Sequence, residues 1–553
     1  MGRTRYVVGV DFGTLSARAV VVRVADGAEL GAATHEYTHG VLDTALPTGR
    51  PLSPSWALQD PEDYREALRV TLPAAVAGAG IDPADVIGIG TDFTACTMLP
   101  CRADGTPLCE VDDLADRPHA WPKLWKHQAA QSQADRITRL AEERGEPWLA
   151  RYGGRVSAEG ELAKALQVFE EDGALYDRAD VLAEAADWIV WQLSGELVRS
   201  ASTAGYKGLW QDDRYPSPGF LEALAPGFSS WAGKVGQPVR PLGTRAGSLT
   251  ARGAAWTGLP EGIAVAVGNI DAHATVPAAG SVAPGRLTLI LGTSACHMLN
   301  ADVLREVPGI SGVVDGGIVA GSWGYEAGQS GVGDVLAWVT RSAVPASYER
   351  AAADAGESLH EHLSRLAAAQ GVGEHGLVAL DWHSGNRSVL NDHELAGAVI
   401  GLTLATRPED VYRALVEATA FGTRVVVEAF RAGGLPVDDV VVAGGLVRNP
   451  FLLQVYADVL GLTLSVIGTE HGAALGAAIH AAVAAGAHPN VPAAAAAMGS
   501  EPEAQHLPDP SRTATYDVLF AEYRELHDHF GRTTPAMHRL RALRRAARDR
   551  HRR

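Results

Sequence analysis

Two strand–turn–strand units that lie about 280 residues apart constrain the fold of this chain more than any other feature of its sequence. In the first unit, the apolar segment 6–10 leads into a polar turn at residues 11–16, and a second apolar segment follows. In the second unit, the apolar segment 286–291 leads into Gly-Thr-Ser at 292–294. Apolar, β-branched segments around a short polar turn predict β-hairpins. The recurrence indicates one unit duplicated in two domains, with a chance recurrence of common turn residues as the alternative.

The rest of the chain alternates between strand and helix patterns. With 553 residues it is too long for one hydrophobic core, and the alternation predicts an α/β protein of two domains. Buried strands are expected at 86–90, 262–268 and 440–443. Helices are expected at 137–143, 162–171, 181–193, 408–431, 451–460 and 472–485, and small residues in the last of these allow close packing.

The domain boundary is predicted just before Gly268. We assign residues 1–267 to the first domain, 268–487 to the second and 488–553 to a C-terminal portion. A linker-like surface segment rich in Ala and Pro (485–515) is expected to precede a closing helix (516–530) and an Arg-rich tail.

Charge and hydropathy exclude several classes of partner. The net charge is −18, and residues 538–553 hold eight Arg and one Asp, so the remaining chain carries about −25 and disfavours nucleic acid. The tail itself is predicted to be a solvated, frayed helix end rather than a contact to RNA or lipid. The best apolar stretch, 396–405, is half as long as a membrane span, and Asp11 occurs too early for a secretory signal. Four cysteines without a CxxC pair predict reduced thiols, so we expect a cytoplasmic protein without membrane contact.

Several common motifs are missing from the sequence. It contains no GxxxxGK[ST], no HExxH and no GxSxG, which removes P-loop enzymes, zincins and α/β-hydrolases. A GxGxxG does occur at 371–376, but a helix pattern precedes it and a strand pattern follows. A dinucleotide fingerprint needs the reverse order, so we interpret this match as a connecting loop.

The tips of the two hairpins are candidate phosphate-binding turns. The first lies at the carboxyl end of a buried strand, where ligands bind in α/β proteins, and the second offers the same donors. Their backbone amides and hydroxyls suit phosphate oxygens, and two such tips facing each other would clamp a triphosphate. The residues concerned are Gly13, Thr14, Ser16, Gly292, Thr293 and Ser294. Asp11 beside the first tip is a candidate for hydrated Mg²⁺.

Asp271 follows an apolar strand and opens a helix at the predicted seam between the domains. One interpretation is an N-cap, which stabilises a helix by about 1 kcal/mol. The other is a general base that accepts the hydroxyl proton during phosphoryl transfer to an alcohol. Spacing alone favours the cap.

Three further candidates are less specific. Gly444 and Gly445, with Asn449 nearby, end a strand and would let the backbone lie against a flat ligand such as adenine, although a simple turn explains the glycines equally well. Lys207 and Glu326 lie among small residues, and each could bind a polyol or be a surface charge.

Taken together and in order, these features resemble the FGGY family of carbohydrate kinases, and within it the branch that phosphorylates L-ribulose. The similarity runs from residue 9 to about 530. The stretches that carry it include GVDFGTLSARAVV (9–21), GIGTDFTACTMLP (88–100), KLWKHQAAQ (123–131), STAGYKGLW (202–210), AVGNIDAHATVPA (266–278), LGTSACHML (291–299), GYEAGQSGVGD (324–334), DWHSGNRS (381–388), VVAGGLVRNPFLLQVYADVLG (441–461) and HGAALGAA (471–478).

The resemblance implies two actin-like (ribonuclease H-like) domains with ATP in the cleft between them. It implies ATP- and Mg²⁺-dependent phosphorylation of the 5-hydroxyl of L-ribulose in L-arabinose catabolism, with Asp271 as the base and Asp11 near the metal. The phosphate-binding positions that it implies are Gly13, Thr14, Ser16, Arg18, Gly292, Thr293 and Ser294, the adenosine positions are Gly444, Gly445 and Asn449, and the sugar positions are Ala95, Lys207, Asp271 and Glu326. ATP and L-ribulose are the implied partners, and a homodimer is left open.

One departure from the family pattern bears on the choice of sugar. Related sequences tend to have Ser-Ser-Glu-Trp where this chain has Ser-Ala-Glu-Gly at 157–160, so Gly160 would widen the sugar pocket if it lines that pocket. A D-ribulose or D-xylulose kinase of the same family is one alternative, and Lys126 and His127 argue against xylulose. A non-catalytic actin-like scaffold that binds ATP is the other, and Asp271 weighs against it.

Overall fold

Each predicted hairpin forms the centre of its own seven-stranded sheet in the computed structural model, which describes residues 4–552. The strands of the first half are β1 (Tyr6–Phe12), β2 (Ser16–Arg23), β3 (Glu29–Glu36), β4 (Val86–Phe93), β5 (Met98–Cys101), β6 (Val181–Glu184), β7 (Arg199–Ser200), β8 (Val239–Arg240), β9 (Arg245–Ser248), β10 (Ala264–Ala266) and β11 (Asn269–Ile270). Its helices are α1 (Pro61–Ala79), α2 (Gln131–Arg144), α3 (Glu161–Glu171), α4 (Gly173–Arg178), α5 (Ala185–Ser194), α6 (Ala201–Gly208), α7 (Pro218–Leu224), α8 (Trp231–Val235), α9 (Ala251–Thr257) and α10 (Asp271–Ala278).

The second half repeats this arrangement and adds helices at its C-terminal end. Its strands are β12 (Gly285–Leu291), β13 (Ala295–Ala301), β14 (Gly312–Asp315), β15 (Trp323–Gln329), β16 (Val378–Leu380), β17 (Ala398–Ile400), β18 (Val437–Ala443), β19 (Leu464–Val466) and β20 (Ala504–His506). Its helices are α11 (Gly333–Ser342), α12 (Ala346–Asp354), α13 (Leu359–Ala368), α14 (Pro408–Ala432), α15 (Pro450–Leu460), α16 (Gly472–Ala484), α17 (Val491–Met498), α18 (Pro510–Asp528) and α19 (Ala536–Arg552).

The two sheets share one topology. The first has the order β3-β2-β1-β4-β10, in which three antiparallel strands are followed by parallel pairing of β1 with β4 and of β4 with β10. The second has the order β15-β13-β12-β18-β19 with the same pattern of directions. This equivalence confirms the duplicated unit and the two actin-like α/β domains. In the first sheet it brings the carboxyl ends of β1 and β4 together at one edge. In the second sheet it does the same for the carboxyl ends of β12 and β18.

Helix α16 packs between the two sheets, as its small residues predict. Its buried side chains, such as Leu475 and Ile479, share one apolar cluster with Val7 of β1 and Val441 of β18. A Cβ atom at Gly476 would overlap the backbone carbonyl oxygen of Ala274 in α10. Glycine at this position therefore lets α10 and α16 approach each other closely at the junction of the sheets.

We expect Gly476→Ala to lower the thermal unfolding temperature, because overpacking against a backbone carbonyl costs about 1–3 kcal/mol. Gly78→Ala is the matched control, since Gly78 also lies in a helix but a Cβ there would meet nothing within 4 Å. That control should stabilise the protein by about 0.5–1 kcal/mol. Differential scanning fluorimetry of both variants measures the difference, and a stability of Gly476→Ala equal to that of the control would refute the close packing.

Most predicted helices are present, but two segments differ from the sequence prediction. Residues 181–193 were predicted as one helix, whereas the chain forms strand β6 and begins α5 at Ala185. Residues 181–184 form a strand and not a helix because they pair with β5 inside the protein. The local periodicity of the sequence does not reveal this pairing. Residues 485–515 are not a surface linker, because α17 buries Val491 and Met498 and β20 extends the second sheet. The closing helix is α18, and it begins earlier than predicted, at Pro510.

The Arg-rich tail is also ordered rather than frayed over the residues that the structure describes. Helix α19 buries Met537 in the core of the second domain, and Arg541 donates hydrogen bonds to two backbone carbonyls. Residues 371–376 form the connecting loop that was predicted, and the four cysteines are free thiols. Within residues 4–552, no helix combines the length and the apolar composition that a membrane crossing requires.

Candidate active site

A backbone hydrogen bond closes the tip of each hairpin, around two residues in the first tip and around one residue in the second. The amide of Gly13 donates to the carbonyl of Ser16 at 3.0 Å, and the amide of Gly292 donates to the carbonyl of Ser294 at 2.9 Å. Each bond closes a turn at the carboxyl end of a central strand, β1 or β12. The hydroxyl of Thr14 accepts a hydrogen bond from the indole of Trp125 at 3.1 Å. The predicted phosphate-binding residues therefore occupy equivalent places in the two domains.

The second tip is held by the start of helix α11. The amide of Gly333 donates to the carbonyl of Gly292 at 3.0 Å, and the amide of Val332 donates to that of Thr293 at 2.9 Å. Thr293 itself is exposed. The tip thus has a fixed backbone and a free hydroxyl side chain, which suits the binding of a phosphate oxygen.

Two carboxylates lie side by side where β1 and β4 end. Asp11 and Asp92 are paired in the parallel register of these strands, and Arg18 lies 3.9 Å from Asp11. Asp92 is fully buried, and among the described residues no group other than the Asp11 carboxyl offers its carboxylate oxygens a hydrogen bond. Burial, together with the neighbouring charge of Asp11, holds the pKa of Asp92 well above its usual value. Burial also raises the pKa of Asp11.

This pair fits a magnesium ion. A buried carboxylate without a partner is costly in a protein unless a cation or proton donor reaches it, and carboxylate oxygens are the ligands Mg²⁺ prefers. The described residues contain no ready-made group of three or more ligating side chains. A site with two carboxylates is consistent with Mg²⁺, which usually keeps several waters and also binds substrate phosphates. Asp11 and Asp92 are therefore the residues that would hold the ion.

Asp271 is the first residue of α10 and lies beyond these carboxylates. Its Oδ1 accepts a hydrogen bond from the amide of Ala272 at 2.6 Å, while Ile270 occupies the N-cap position. Asp271 is therefore not the cap that the spacing favoured, although it still bonds the first turn. Burial, and next the charge of Asp11, raise the pKa of Asp271 to about 7. A carboxylate with this pKa can accept a proton near neutral pH.

The sugar-side candidates Lys207 and Glu326 meet across the domains. Lys207 Nζ, at the end of α6, lies 3.6 Å from Glu326 Oε1 on β15. Arg387 donates to the same oxygen at 2.6 Å, and His273 of α10 lies 3.2 Å from Oε2. Burial alone would raise the pKa of Glu326, but Lys207, the His273 hydrogen bond and Arg387 hold it well below its usual value. Glu326 is therefore an ionised acceptor fixed from three directions.

A small cavity lies beside this cluster, between the two domains. Lys207, Glu159 and Gly160 line it from the first domain, and Arg387 and His393 line it from the second. Its volume is about 50 Å³, which has room for about one or two waters, so a pentose enters only if the walls move apart.

The predicted sugar-side residues Ala95 and Gly160 both lie near this cluster. Ala95 packs against the group of apolar side chains that includes Tyr206 and Ile270, next to Lys207 and Asp271. A side chain at position 160 would meet the backbone carbonyl of Ser157 first, at 3.2 Å from its Cβ. Gly160 is nevertheless one of the residues that line the small cavity, and its effect on the choice of sugar stays a prediction.

A larger cavity of about 840 Å³ opens beyond the second tip. Gly445 and Asn449 line it on one side, and His360, Ser364 and Tyr412 line it on the other. The side-chain Nδ2 of Asn449 donates to the hydroxyl of Ser364 at 2.9 Å, which joins the two walls.

Gly444 lies behind this wall. Its φ of 96° is a conformation that favours glycine, and a Cβ there would overlap the end of β12. Glycine at position 444 is thus needed for the close approach of the backbone to β12, whereas a side chain at position 445 would point into open space beside the cavity.

Sequence reasoning missed three features of the site. Asp92 could have been found, because the dipeptide Asp-Phe ends both β1 and β4, two neighbouring parallel strands. Arg387 lies in a stretch that carried the family resemblance, but nothing in its spacing indicated contact with Glu326. The walls formed by α13 and α14 gave no signal, because their position depends on tertiary packing.

Comparisons with known proteins agree with this geometry. The C-terminal domain of the FGGY family of carbohydrate kinases matches residues 287–485. The xylulose kinase from Rhodospirillum rubrum has the same fold, with a TM-score of 0.78 and 24% identity over 97% of this chain and 100% of that one. Plasmodium falciparum glycerol kinase with ADP has a TM-score of 0.71 and 13% identity over 95% and 98% of the two chains. The fold is therefore the two-domain fold of these kinases.

The curated relatives are much more similar in sequence. The ribulokinase of Mycolicibacterium smegmatis is 60% identical over 98% of this chain and 97% of its own length. The ribulokinase of Geobacillus thermodenitrificans is 48% identical over 96% and 95% of the two chains. These similarities define the class of protein, an ATP-dependent carbohydrate kinase. The chain belongs to the FGGY family, and within it to the ribulokinases.

Proposed function

We propose that this kinase transfers the γ-phosphate of ATP to the 5-hydroxyl of L-ribulose, with Asp271 as the general base, as a step of L-arabinose catabolism in the cytoplasm. The observation that carries the proposal is the position of Asp271 at the domain junction, with a pKa raised to about 7. The charges of Lys207 and Glu326 act on the same carboxylate, so the polar cluster and the base share one site. The ribulokinases that resemble the chain support the sugar.

The proposed chemistry assigns one task to each group of residues. Lys207, Glu326 and Ala95 would orient the sugar so that its 5-hydroxyl lies against Asp271. As the hydroxyl oxygen bonds to the γ-phosphorus, its proton passes to the Asp271 carboxylate and the bond to the ADP oxygen breaks. The amides and hydroxyls of the two tips would hold the phosphates, and Gly444, Gly445 and Asn449 the adenosine.

Asp11 and Asp92 would hold Mg²⁺ beside the first tip. When bound, the ion neutralises phosphate charge that would otherwise repel the attacking oxygen. Arg18, which lies near Asp11, supplies a further positive charge on this side. Both carboxylates have raised pKa values without the ion, which indicates that their negative charge lacks sufficient compensation from the protein.

The small cavity beside Glu326 is called the sugar cavity below. We propose that its walls move apart to admit the sugar and close again before the reaction. The cavity of about 50 Å³ is too small for a pentose in the present conformation. A sugar that enters an opened cleft and is then enclosed meets the γ-phosphate without competing water, which favours transfer to the hydroxyl over hydrolysis.

Coupled ADP release with ATP, Mg²⁺ and a panel of sugars tests this proposal. The panel contains L-ribulose, D-ribulose, D-xylulose, ribitol and glycerol. We expect the highest kcat/KM with L-ribulose. A higher kcat/KM with D-ribulose or D-xylulose would show that the protein is a sugar kinase with a different substrate. The absence of any sugar-dependent ADP release would favour an ATP-binding scaffold.

Assembly as a homodimer stays a prediction, which light scattering would test.

Gly160 offers a separate test of sugar choice. Because residue 160 lines the sugar cavity, Gly160→Trp should narrow the set of accepted sugars and lower kcat/KM most for the poorer substrates. Gly173→Ala is the control in the first domain, since Gly173 is exposed, lacks a left-handed φ and a Cβ there would meet nothing within 4 Å. If the kcat/KM values of the different sugars have the same ratios in Gly160→Trp as in the wild type, residue 160 does not determine the choice of sugar.

A further inference from the structure

We infer that helix α19, the Arg-rich C-terminal helix, positions the loop that forms one wall of the sugar cavity. This loop, residues 385–396, is called the sugar-pocket loop below. The inference rests on the proposed sugar site and adds to it a positioning element that lies outside the cleft. It also gives the tail a role in place of the solvated end that the sequence predicted.

The sugar-pocket loop lies directly on the proposed site. Arg387, Asn391 and His393 line the sugar cavity, and Arg387 donates to Glu326. The carbonyl of Asn391 accepts a hydrogen bond from Arg155 of the first domain at 2.7 Å. The loop therefore carries both a charged contact to the sugar cluster and a contact that joins the two domains.

The loop has little structure of its own. Its internal bonds join the backbones of Asn386 and Asp392 at 2.9 and 2.7 Å, and the side chains of these two residues accept from the amides of Leu390 and Glu394 at 3.0 and 2.8 Å. Ser388 accepts a hydrogen bond from the amide of Gly328 on β15, which fixes one end. A segment without a sheet or helix keeps one conformation only if other contacts compensate its conformational entropy.

Helix α19 supplies several of these contacts, in addition to the burial of Leu395 in the core of the second domain. His538 Nε2 lies 2.8 Å from the carboxylate of Asp392. Arg541 donates to the carbonyls of His393 and Leu395 at 2.8 and 2.9 Å. Arg545 donates to the carboxylate of Glu394 at 2.7 Å.

The contacts follow one face of the helix. Met537, Arg541 and Arg545 are spaced four residues apart, so they project from the same side. The sulfur of Met537 accepts a hydrogen bond from the amide of Ala396 at 3.3 Å, and Met537 is almost fully buried. Arg544 lies on the same helix but is exposed and makes no hydrogen bond or ion pair among the described residues. The helix therefore holds the loop through a defined set of side chains and not through its overall charge.

Arg541→Ala tests the inference, with Arg544→Ala as the matched control. Without Arg541, two carbonyls of the loop lose their donor, and we expect the KM for L-ribulose to rise about fivefold or more while the KM for ATP stays within twofold. Arg541→Lys should restore part of the effect, because an ammonium group can still donate to these carbonyls. The Arg544→Ala variant should match the wild type in every parameter.

Hydrogen–deuterium exchange provides a readout that does not depend on activity. In the Arg541→Ala variant, amides of residues 385–396 should exchange faster, while amides of α13 and α14 near the nucleotide cavity should not change. If the wild type fails to phosphorylate L-ribulose, the proposed substrate is wrong, and the exchange experiment still decides whether the helix orders the loop. Unchanged exchange in the loop, or a rise in both KM values together, would overturn the inference.

Discussion

Asp271→Asn is expected to lower kcat for L-ribulose by about 10³-fold, the contribution typical of a positioned general base. The amide has the size of the carboxyl group and keeps an oxygen that can accept from Ala272, so helix α10 should begin at the same residue. It cannot accept the proton of the sugar hydroxyl. We therefore expect the dissociation constants of L-ribulose and ATP, measured by calorimetry, to change much less than kcat.

The control for this variant is Asp302→Asn. Asp302 is exposed and lies outside the cleft, so its amide should leave kcat unchanged. A kcat for Asp271→Asn within tenfold of the wild type would show that another group accepts the proton. A large loss of sugar affinity with little change in kcat would instead make Asp271 a binding residue.

Asp92→Asn is expected to have two opposite effects. The wild-type carboxylate is buried against the like-charged Asp11, with no other hydrogen-bond partner among the described residues, so removing its charge should raise the melting temperature of the metal-free protein by about 2–4 °C. The same change removes a ligand of Mg²⁺, so the Mg²⁺ concentration for half-maximal activity should rise about 10–100-fold. Scanning calorimetry without Mg²⁺ and ADP release over a Mg²⁺ titration measure the two effects.

Asp187→Asn is the matched control for stability. Asp187 is also buried, but it accepts hydrogen bonds from Arg199, the amide of Ser200 and the hydroxyl of Thr203. Its replacement should lower the melting temperature, because a buried Arg199 loses part of its charge compensation. If Asp92→Asn also destabilises the protein and leaves the Mg²⁺ requirement unchanged, Asp92 is a structural residue.

The fold was predictable where local pattern and tertiary structure agree. The two hairpins, the long helix α14 and the small-residue helix α16 have patterns that match their final environment. Strand β6 did not, because its pairing with β5 depends on a partner eighty residues earlier in the chain. The tail was predicted as solvated since its composition is charged, and only the folded chain shows that Arg541 meets free carbonyls of a distant loop.

The candidate site was predictable to a different degree. Residues in turns after buried strands, such as Gly13 and Gly292, could be placed at the ends of the central strands from the sequence pattern alone, and their binding of phosphate stays a proposal. The spacing around Asp271 left the cap and the base open, and the family resemblance favoured the base. Arg387 could not be assigned to the site from the sequence. It contacts Glu326 only in the folded chain, and no repeating pattern in the sequence connects the two segments.

The measurement that tests the central claim most directly is the position of the phosphate in the product. Phosphorus and proton NMR of the mixture of L-ribulose, ATP, Mg²⁺ and enzyme show which hydroxyl is esterified. The account predicts ADP and L-ribulose 5-phosphate in equal amounts, with neither product formed beyond background by Asp271→Asn. ADP accompanied by inorganic phosphate, or a phosphate on another hydroxyl of the sugar, would contradict it.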